Sequence, residues 1–124
     1  MIEVVARGDP KGVHVSVGDY YRVTLVELDD DAVVEVAGEI DMVAHDRLRS
    51  VIAEAQSGGR RLVVDLSETT FMDSTGLRVL LEAWRVQTDG GSEMVLRAPS
   101  PAVRALFDIT GVGDAMPIEP AADT

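Results

Sequence analysis

The stretch of sequence that decides the fold is LVVDLSETTFMDSTGL, residues 62–77. Its first five residues form a nearly continuous apolar run, which is typical of a strand covered on both faces in a parallel sheet. From Ser74 onward, apolar residues recur at helical spacing as far as the pair Gly90 and Gly91, which predicts an amphipathic helix. Residues 67–73 are expected to form a loop between the strand and the helix. The apolar face of the helix is predicted to contain Leu77, Leu80, Leu81 and Trp84.

A hairpin and a helix are predicted before this stretch. Residues 21–28 are rich in β-branched and aromatic side chains, and residues 32–37 repeat this pattern after a polar turn, which indicates two antiparallel strands. Residues 38–41, GEID, are expected to break the second strand. Asp41 can then cap a helix over residues 42–56. The apolar face of that helix is predicted to contain Leu48, Val51, Ile52 and Ala55.

A strand over residues 93–97 follows, and then a helix that begins at Ser100 and Pro101, a capping hydroxyl before a proline. Gly111 ends this helix, and residues 116–118 have the pattern of a last short strand. The order β-β-α-β-α-β-α predicts an α/β domain with a four- to five-stranded mixed, mainly parallel sheet and helices packed on it. The predicted buried set is Leu25, Val34, Leu48, Ile52, Val63, Val64, Leu66, Leu77, Leu81, Val95, Leu106 and Phe107.

The chain of 124 residues is long enough for one domain, which we expect over residues 20–118. Residues 1–19 are expected to be an N-terminal arm or an extra edge hairpin, because alternating valines follow a turn-like segment there. Residues 119–124 are expected to be a C-terminal tail.

Composition excludes several classes of function. The formal net charge of −11 argues against a nucleic-acid partner, because binding phosphates needs clustered basic side chains. The chain has no cysteine, and its two histidines offer no ligand spacing, so we expect no metal and no cofactor. The chain has no apolar run of about 18 residues and no signal-peptide pattern. We therefore predict a cytoplasmic protein without a membrane span.

Catalytic function has little support in the sequence. A serine hydrolase needs a base beside its nucleophile, and the two histidines are His14, in the expected N-terminal arm, and His45, early in the first helix. The G-x-S-x-G elbow, the P-loop and the dinucleotide fingerprint are all absent. We therefore expect a protein that is not an enzyme and has no catalytic residue.

The segment FMDSTGL, residues 71–77, lies between the buried strand and its helix. Asp73 or Ser74 is expected to cap the helix. Gly76 lowers helix propensity in the first turn, and it leaves the hydroxyl groups of Ser74 and Thr75 uncrowded. A small exposed surface at a helix start suits the docking of another protein or the attachment of a phosphate.

Three segments, in this order and spacing, resemble bacterial anti-sigma factor antagonists, which are single STAS domains. They are GEID at residues 38–41, LVVDLS at residues 62–67 and FMDSTGL at residues 71–77. Residues 99–111 resemble the final helix of the same family. The resemblance covers residues 20–118 and implies a small STAS-like α/β domain without catalytic residues.

The resemblance also implies a partner switch. In the family, the unphosphorylated antagonist binds an anti-sigma factor, with ATP or ADP bound to it, and so releases the sigma factor. This anti-sigma factor is itself a serine kinase, which phosphorylates the serine after the motif aspartate, and a serine phosphatase resets the antagonist. Ser74 matches the phosphorylated serine, with Thr75 as the alternative acceptor. The residues that match the docking surface are Asp41, Asp73, Ser74, Thr75 and Gly76.

One alternative function remains open at this point. A STAS domain can also be a scaffold or a regulatory subunit of a stress-sensing or lipid-transport complex, without phosphorylation as a switch. Such a protein would have the same fold but no kinase partner.

Overall fold

The computed structural model of the protein describes residues 2–6, 12–18 and 20–120. The other residues of the expected arm and tail, 1, 7–11, 19 and 121–124, lie outside the described residues. The strands are β1 (Ile2–Ala6), β2 (Gly12–Val17), β3 (Tyr21–Glu27), β4 (Asp31–Ile40), β5 (Arg61–Met72), β6 (Met94–Arg97) and β7 (Ile118–Glu119). The helices are α1 (His45–Gln56), α2 (Ser74–Asp89), α3 (Pro101–Thr110) and α4 (Val112–Ala115).

The strands form one mixed sheet in the order β1 to β7. Each of the first three pairings, from β1 to β4, is antiparallel, and each of the three from β4 to β7 is parallel. The predicted α/β class, with helices packed on a mixed sheet, is confirmed. The sheet is wider than the four to five strands predicted, because β1 and β2 continue the antiparallel part beyond β3 and β7 adds a short parallel edge.

The helices pack on one face of the sheet. Val34 of β4 and Val64 of β5 belong to a core that also contains Leu48 of α1, Leu80 of α2 and Phe107 of α3. On the opposite face a smaller buried cluster is formed by Val33, Val63 and Val95, with Val26 packed against it. Strand β5 is therefore apolar on both faces, as its sequence predicts.

Two members of the predicted buried set are placed differently. Leu81 is 37% exposed, and Leu106 is only partly buried against the core, whereas the other ten are buried. On α2 the buried face is centred on Leu77, Leu80 and Ala83. Successive helical residues are about 100° apart, so Leu81 lies on the side that faces solvent when Leu80 points inward.

Strands β4 and β5 are both longer than predicted. The break expected over residues 38–41 and the loop expected over residues 67–73 are wrong, because the strand ends pair in parallel as far as Ile40 and Met72. The register shifts once between Glu35 and Ala37 and again between Gly38 and Glu39, with one extra residue in β5 each time. Gly38 has a φ of 88°, and the chain continues as a strand beyond this irregularity.

At the first irregularity a buried backbone carbonyl of β4 is satisfied by a side chain. The Val36 carbonyl oxygen accepts a 2.9 Å hydrogen bond from the hydroxyl of Thr69, which is fully buried. A buried carbonyl without a donor would cost roughly 1–3 kcal/mol. Thr69 therefore satisfies a buried carbonyl group of β4 at the place where the register shifts.

Helix α1 begins at His45, three residues later than predicted. Residues 41–44 form a turn in which Asp41 Oδ1 accepts hydrogen bonds from the backbone N–H groups of Val43, at 3.0 Å, and Ala44, at 3.2 Å. Asp41 thus stabilises the turn before the helix, and this turn displays residues that the prediction had placed within the helix.

The starts of the other two long helices agree with the sequence. Helix α2 begins at Ser74, and α3 begins at Pro101, where Ser100 Oγ accepts a 3.3 Å hydrogen bond from the backbone N–H of Val103. Gly111 ends α3 in the left-handed conformation, with a φ of 78°. No helix within the described ranges is long and apolar enough to cross a membrane.

Candidate functional site

The GEID segment, residues 38–41, and the FMDSTGL segment, residues 71–77, meet at the carboxyl ends of β4 and β5. Ile40 is paired with Met72, and the backbone N–H of Asp73 donates a 3.2 Å hydrogen bond to the Ile40 carbonyl oxygen. The turn over residues 41–44 and the start of α2 therefore lie side by side. This arrangement brings Asp41 to the same edge of the sheet as Asp73.

Asp73 is the N-cap of α2. Its Oδ1 accepts hydrogen bonds from the backbone N–H groups of Thr75, at 2.9 Å, and Gly76, at 3.3 Å. The same oxygen accepts a hydrogen bond from the Thr75 hydroxyl, at 2.5 Å. The sequence had left the cap open between Asp73 and Ser74, and the structure assigns it to Asp73.

The pKa of Asp73 lies below its ordinary value. Partial burial is the largest single influence and acts in the opposite direction, because it disfavours the charged form. The hydrogen bonds from Thr75 and Gly76, together with the nearby charge of His45, outweigh the burial and lower the pKa. Asp73 is therefore a carboxylate at neutral pH, and it holds the first turn of α2 by charge-assisted hydrogen bonds.

Ser74 and Thr75 differ in their surroundings although they are adjacent. Ser74 is exposed, and within the described part of the chain its hydroxyl forms no hydrogen bond. Thr75 is half-buried, and its hydroxyl is held by Asp73. Of the two predicted phosphate acceptors, Ser74 is the one whose oxygen is free and open to solvent.

Gly76 is buried directly beneath the site. A Cβ atom at this position would lie 2.9 Å from Ile40 Cγ2 and 2.9 Å from Met72 Cγ. The first turn of α2 rests on the ends of the two strands, and a larger residue would push it away. Gly76 therefore allows the first turn of α2 to pack closely against the ends of β4 and β5. This packing role adds to the one suggested by the sequence, which was to leave the hydroxyl groups of Ser74 and Thr75 uncrowded.

Three exposed apolar side chains lie at the same end of the sheet as the site, and the sequence analysis did not identify them. Met42 is 68% exposed and Val43 77% exposed in the turn after β4, and Phe71 is 48% exposed near the end of β5. We call these three residues the apolar rim. Large exposed apolar side chains grouped at one end of a small domain are typical of a surface that another protein covers. The sequence does contain a signal for two of them, since Met42 and Val43 are apolar but do not belong to the predicted apolar face of α1.

His45 lies at the start of α1 near Asp73. Its Nδ1 is 2.6 Å from the Met42 carbonyl oxygen, and its Nε2 is 3.2 Å from Asp46 Oδ1. Within the described residues no hydrogen bond joins His45 to Ser74. Among the residues whose side chains the structure describes, 17–18 and 20–120, there is also no group of three or more acidic, histidine or cysteine side chains that could hold a metal ion.

Comparison with known proteins places the chain in one family. The family described as "STAS domain" matches residues 22–124. The anti-sigma-B factor antagonist of Bacillus subtilis is 32% identical over 97 residues, which are 78% of this chain and 89% of that protein. The anti-sigma-B factor antagonist of Listeria monocytogenes is 35% identical over 99 residues, which are 78% of this chain and 87% of that protein.

A solved structure agrees with these sequence matches. The crystal structure of an anti-sigma factor antagonist from Mycobacterium paratuberculosis has a TM-score of 0.77 to this chain at 30% identity, and the match covers 87% of this chain and 92% of that one. The fold, the site at the end of β5 and the relatives all agree, and the chain belongs to the STAS-domain family of anti-sigma factor antagonists.

Proposed function

We propose that this anti-sigma factor antagonist is controlled by phosphorylation of Ser74. In its unphosphorylated form it binds an anti-sigma factor that is a serine kinase, and the sigma factor is released. Phosphate on Ser74 ends that binding. The observation that carries the proposal is the difference between the two neighbouring hydroxyls, since that of Ser74 is exposed and free whereas that of Thr75 is held by Asp73.

The surface around Ser74 supports docking of a protein partner. The apolar rim exposes surface that a partner can cover. Removing apolar surface from water is favourable by about 25 cal/mol per Å² before the costs of association are subtracted. Asp41 and Asp73 give the same edge of the sheet a negative charge, and the whole chain carries −11. A partner surface that is apolar at its centre and basic at its border fits this end of the domain.

The phosphate acts by charge at this surface. It adds about −1.5 to −2 charges near neutral pH, next to the Asp73 carboxylate. The fold tolerates the modification, because Ser74 is exposed and its hydroxyl supports no hydrogen bond among the described residues. The consequence is repulsion and lost fit at the docking surface rather than unfolding.

The chemistry of the switch is supplied by the partners. The kinase transfers the γ-phosphoryl group of its ATP to Ser74 Oγ, ADP leaves, and the hydroxyl proton passes to a base of the kinase or to water. A separate serine phosphatase hydrolyses the phosphate ester and restores the hydroxyl. In this scheme the chain itself provides no catalytic group, and it acts in the cytoplasm, where ATP and the transcription machinery are found.

The test uses a purified kinase-type anti-sigma factor from the same organism, together with ATP. Intact mass spectrometry should show one added phosphoryl group, and peptide mapping should place it on Ser74. Ser74→Ala should remain unmodified. If no such kinase modifies the chain and it instead assembles stably with other proteins, the alternative holds, which is a STAS scaffold or regulatory subunit without phospho-switching.

A further inference from the structure

Arg78 lies one helical turn after Ser74 on α2, and both residues are exposed. Residues four apart on a helix share a face, with their Cβ atoms about 5–6 Å apart. Long helical side chains also lean toward the N-terminus of their helix. The Arg78 side chain is therefore placed to extend over the position of Ser74.

The acidic side chains nearest to Arg78 along the helix are occupied by other donors. Glu82, one turn further on, accepts a 3.2 Å hydrogen bond from Arg49 Nη2. The Oδ1 of Asp73 accepts the hydrogen bonds from Thr75 and Gly76 described above. Across the described ranges, the Arg78 guanidinium forms neither an ion pair nor a hydrogen bond.

We propose that Arg78 binds the phosphate on Ser74, so that the phosphorylated protein carries an internal phosphate–arginine pair across the first turn of α2. The inference rests on the proposed phosphorylation of Ser74 and adds to it the residue that receives the phosphate. A guanidinium can donate two parallel N–H groups to two phosphate oxygens. The order is also the favourable one, with the acidic group four residues before the basic one.

The pair has two consequences for the switch. It offsets part of the added negative charge, so phosphorylation stabilises the start of α2 instead of straining it. It also engages phosphate oxygens that the phosphatase has to reach. The phosphorylated form is thereby a defined structural state of the protein as well as a state of different charge.

The test uses protein with phosphoserine incorporated at position 74 during synthesis, so its result does not depend on any kinase. The second ionisation of the phosphate is followed by ³¹P NMR. At a given pH near the midpoint, the ratio of dianion to monoanion should be about twofold higher in the wild type than in Arg78→Gln, the size expected for an exposed pair at this spacing. Equal titration curves for the two proteins would overturn the proposal.

Arg85→Gln is the matched control. Arg85 is also exposed on α2 and has no ion-pair partner among the described residues, but it lies about 16 Å further along the helix axis than Ser74. Its removal should leave the phosphate titration unchanged. If Arg85→Gln shifts the titration as much as Arg78→Gln, the effect is one of general charge and the specific pair is refuted.

A second measurement separates pairing from charge. Arg78→Lys keeps the positive charge but loses the planar fork, so it should retain only part of the shift. Thermal unfolding should show a gain on phosphorylation in the wild type and a smaller gain in Arg78→Gln. Failure of the kinase experiment together with a shifted phosphate titration would count against the proposed function alone. Successful phosphorylation with an unshifted titration would count against Arg78 alone.

Discussion

The backbone N–H of Asp73 donates a hydrogen bond to the carbonyl oxygen of Ile40, and the two atoms are 3.2 Å apart. Ile40 ends β4 and Asp73 caps α2, so this contact joins the turn that carries Met42 and Val43 of the apolar rim to the helix that presents Ser74. The geometry of the site thus depends on the parallel pairing of two strand ends that are more than thirty residues apart in the chain.

Removal of the Asp73 carboxylate should weaken the start of α2. Asp73→Ala should lower the free energy of unfolding by about 0.5–2 kcal/mol, the usual cost of losing an N-cap. Urea unfolding at pH 7 measures it. Ser74→Ala is the control, because the Ser74 hydroxyl forms no capping hydrogen bond among the described residues, and a cost as large for Ser74→Ala as for Asp73→Ala would contradict the assigned cap.

The stabilisation by the Asp73 charge should depend on pH. The pKa of Asp73 is lowered in the folded state, so its charge contributes stability above the ordinary pKa of an aspartate, and that stability is lost as the pH falls through the folded pKa. Asp73→Asn keeps a capping oxygen but cannot ionise. The difference in the free energy of unfolding between wild type and Asp73→Asn should therefore be larger at pH 7 than at pH 3. A difference that is independent of pH would show that the Asp73 charge does not stabilise the fold.

Gly76→Ala should destabilise the protein, although alanine is usually the better helix residue. The gain in helix propensity is about 1 kcal/mol. Contacts of 2.9 Å with Ile40 and Met72 should outweigh it, since overpacking costs roughly 1–3 kcal/mol. Gly113→Ala is the control, because its new Cβ would meet only Ile118 Cδ1 at an ordinary 3.5 Å. The urea midpoint should fall for Gly76→Ala and not for Gly113→Ala.

Much of this fold can be predicted from local sequence patterns. The features that were mispredicted depend on pairing between distant strands, or on which residues of a helix face the core. The apolar run of β5 and the start of α2 can be predicted because each depends on neighbouring residues, although the pattern did not decide whether Asp73 or Ser74 is the cap. The extension of β4 to Ile40 cannot be predicted from local sequence, since a glycine such as Gly38 favours the end of a strand. Pairing with β5 keeps the chain extended beyond it. Leu80 and Leu81 both fit a helical period, so spacing alone does not decide which of them faces the core.

The site shows the same division. Ser74 and Asp73 are recognised from the motif that contains them. The exposed positions of Met42 and Val43 depend on the later start of α1, which follows from the hydrogen bonds that Asp41 makes within its turn. The packing role of Gly76 in α2 depends on Ile40 in β4. These residues are far apart in the chain, so a local sequence pattern cannot predict their contact.

The apolar rim should contribute to binding of the anti-sigma factor. Val43→Asp places a charge at a 77% exposed position and should weaken the complex at least about tenfold if Val43 lies near the centre of the interface. The fold should be unaffected. Ile109→Asp is the control, because Ile109 is 83% exposed in the last turn of α3 and does not belong to the apolar rim. Calorimetric titration should show weaker binding only for Val43→Asp, and equal loss for both variants would remove the rim from the interface.

Ser74 should be the residue that switches binding. Ser74→Ala should keep the fold within about 0.5 kcal/mol, since the exposed hydroxyl supports no hydrogen bond among the described residues, and it should bind the unmodified partner without accepting phosphate. Ser74→Asp should weaken binding while leaving the circular dichroism spectrum unchanged. Thr75→Val removes the hydroxyl that donates to Asp73 and should still be phosphorylated on Ser74. Phosphate mapped to Thr75 in the wild type, or a Ser74→Asp variant that binds the kinase as tightly as wild type does, would show that Ser74 is not the switch.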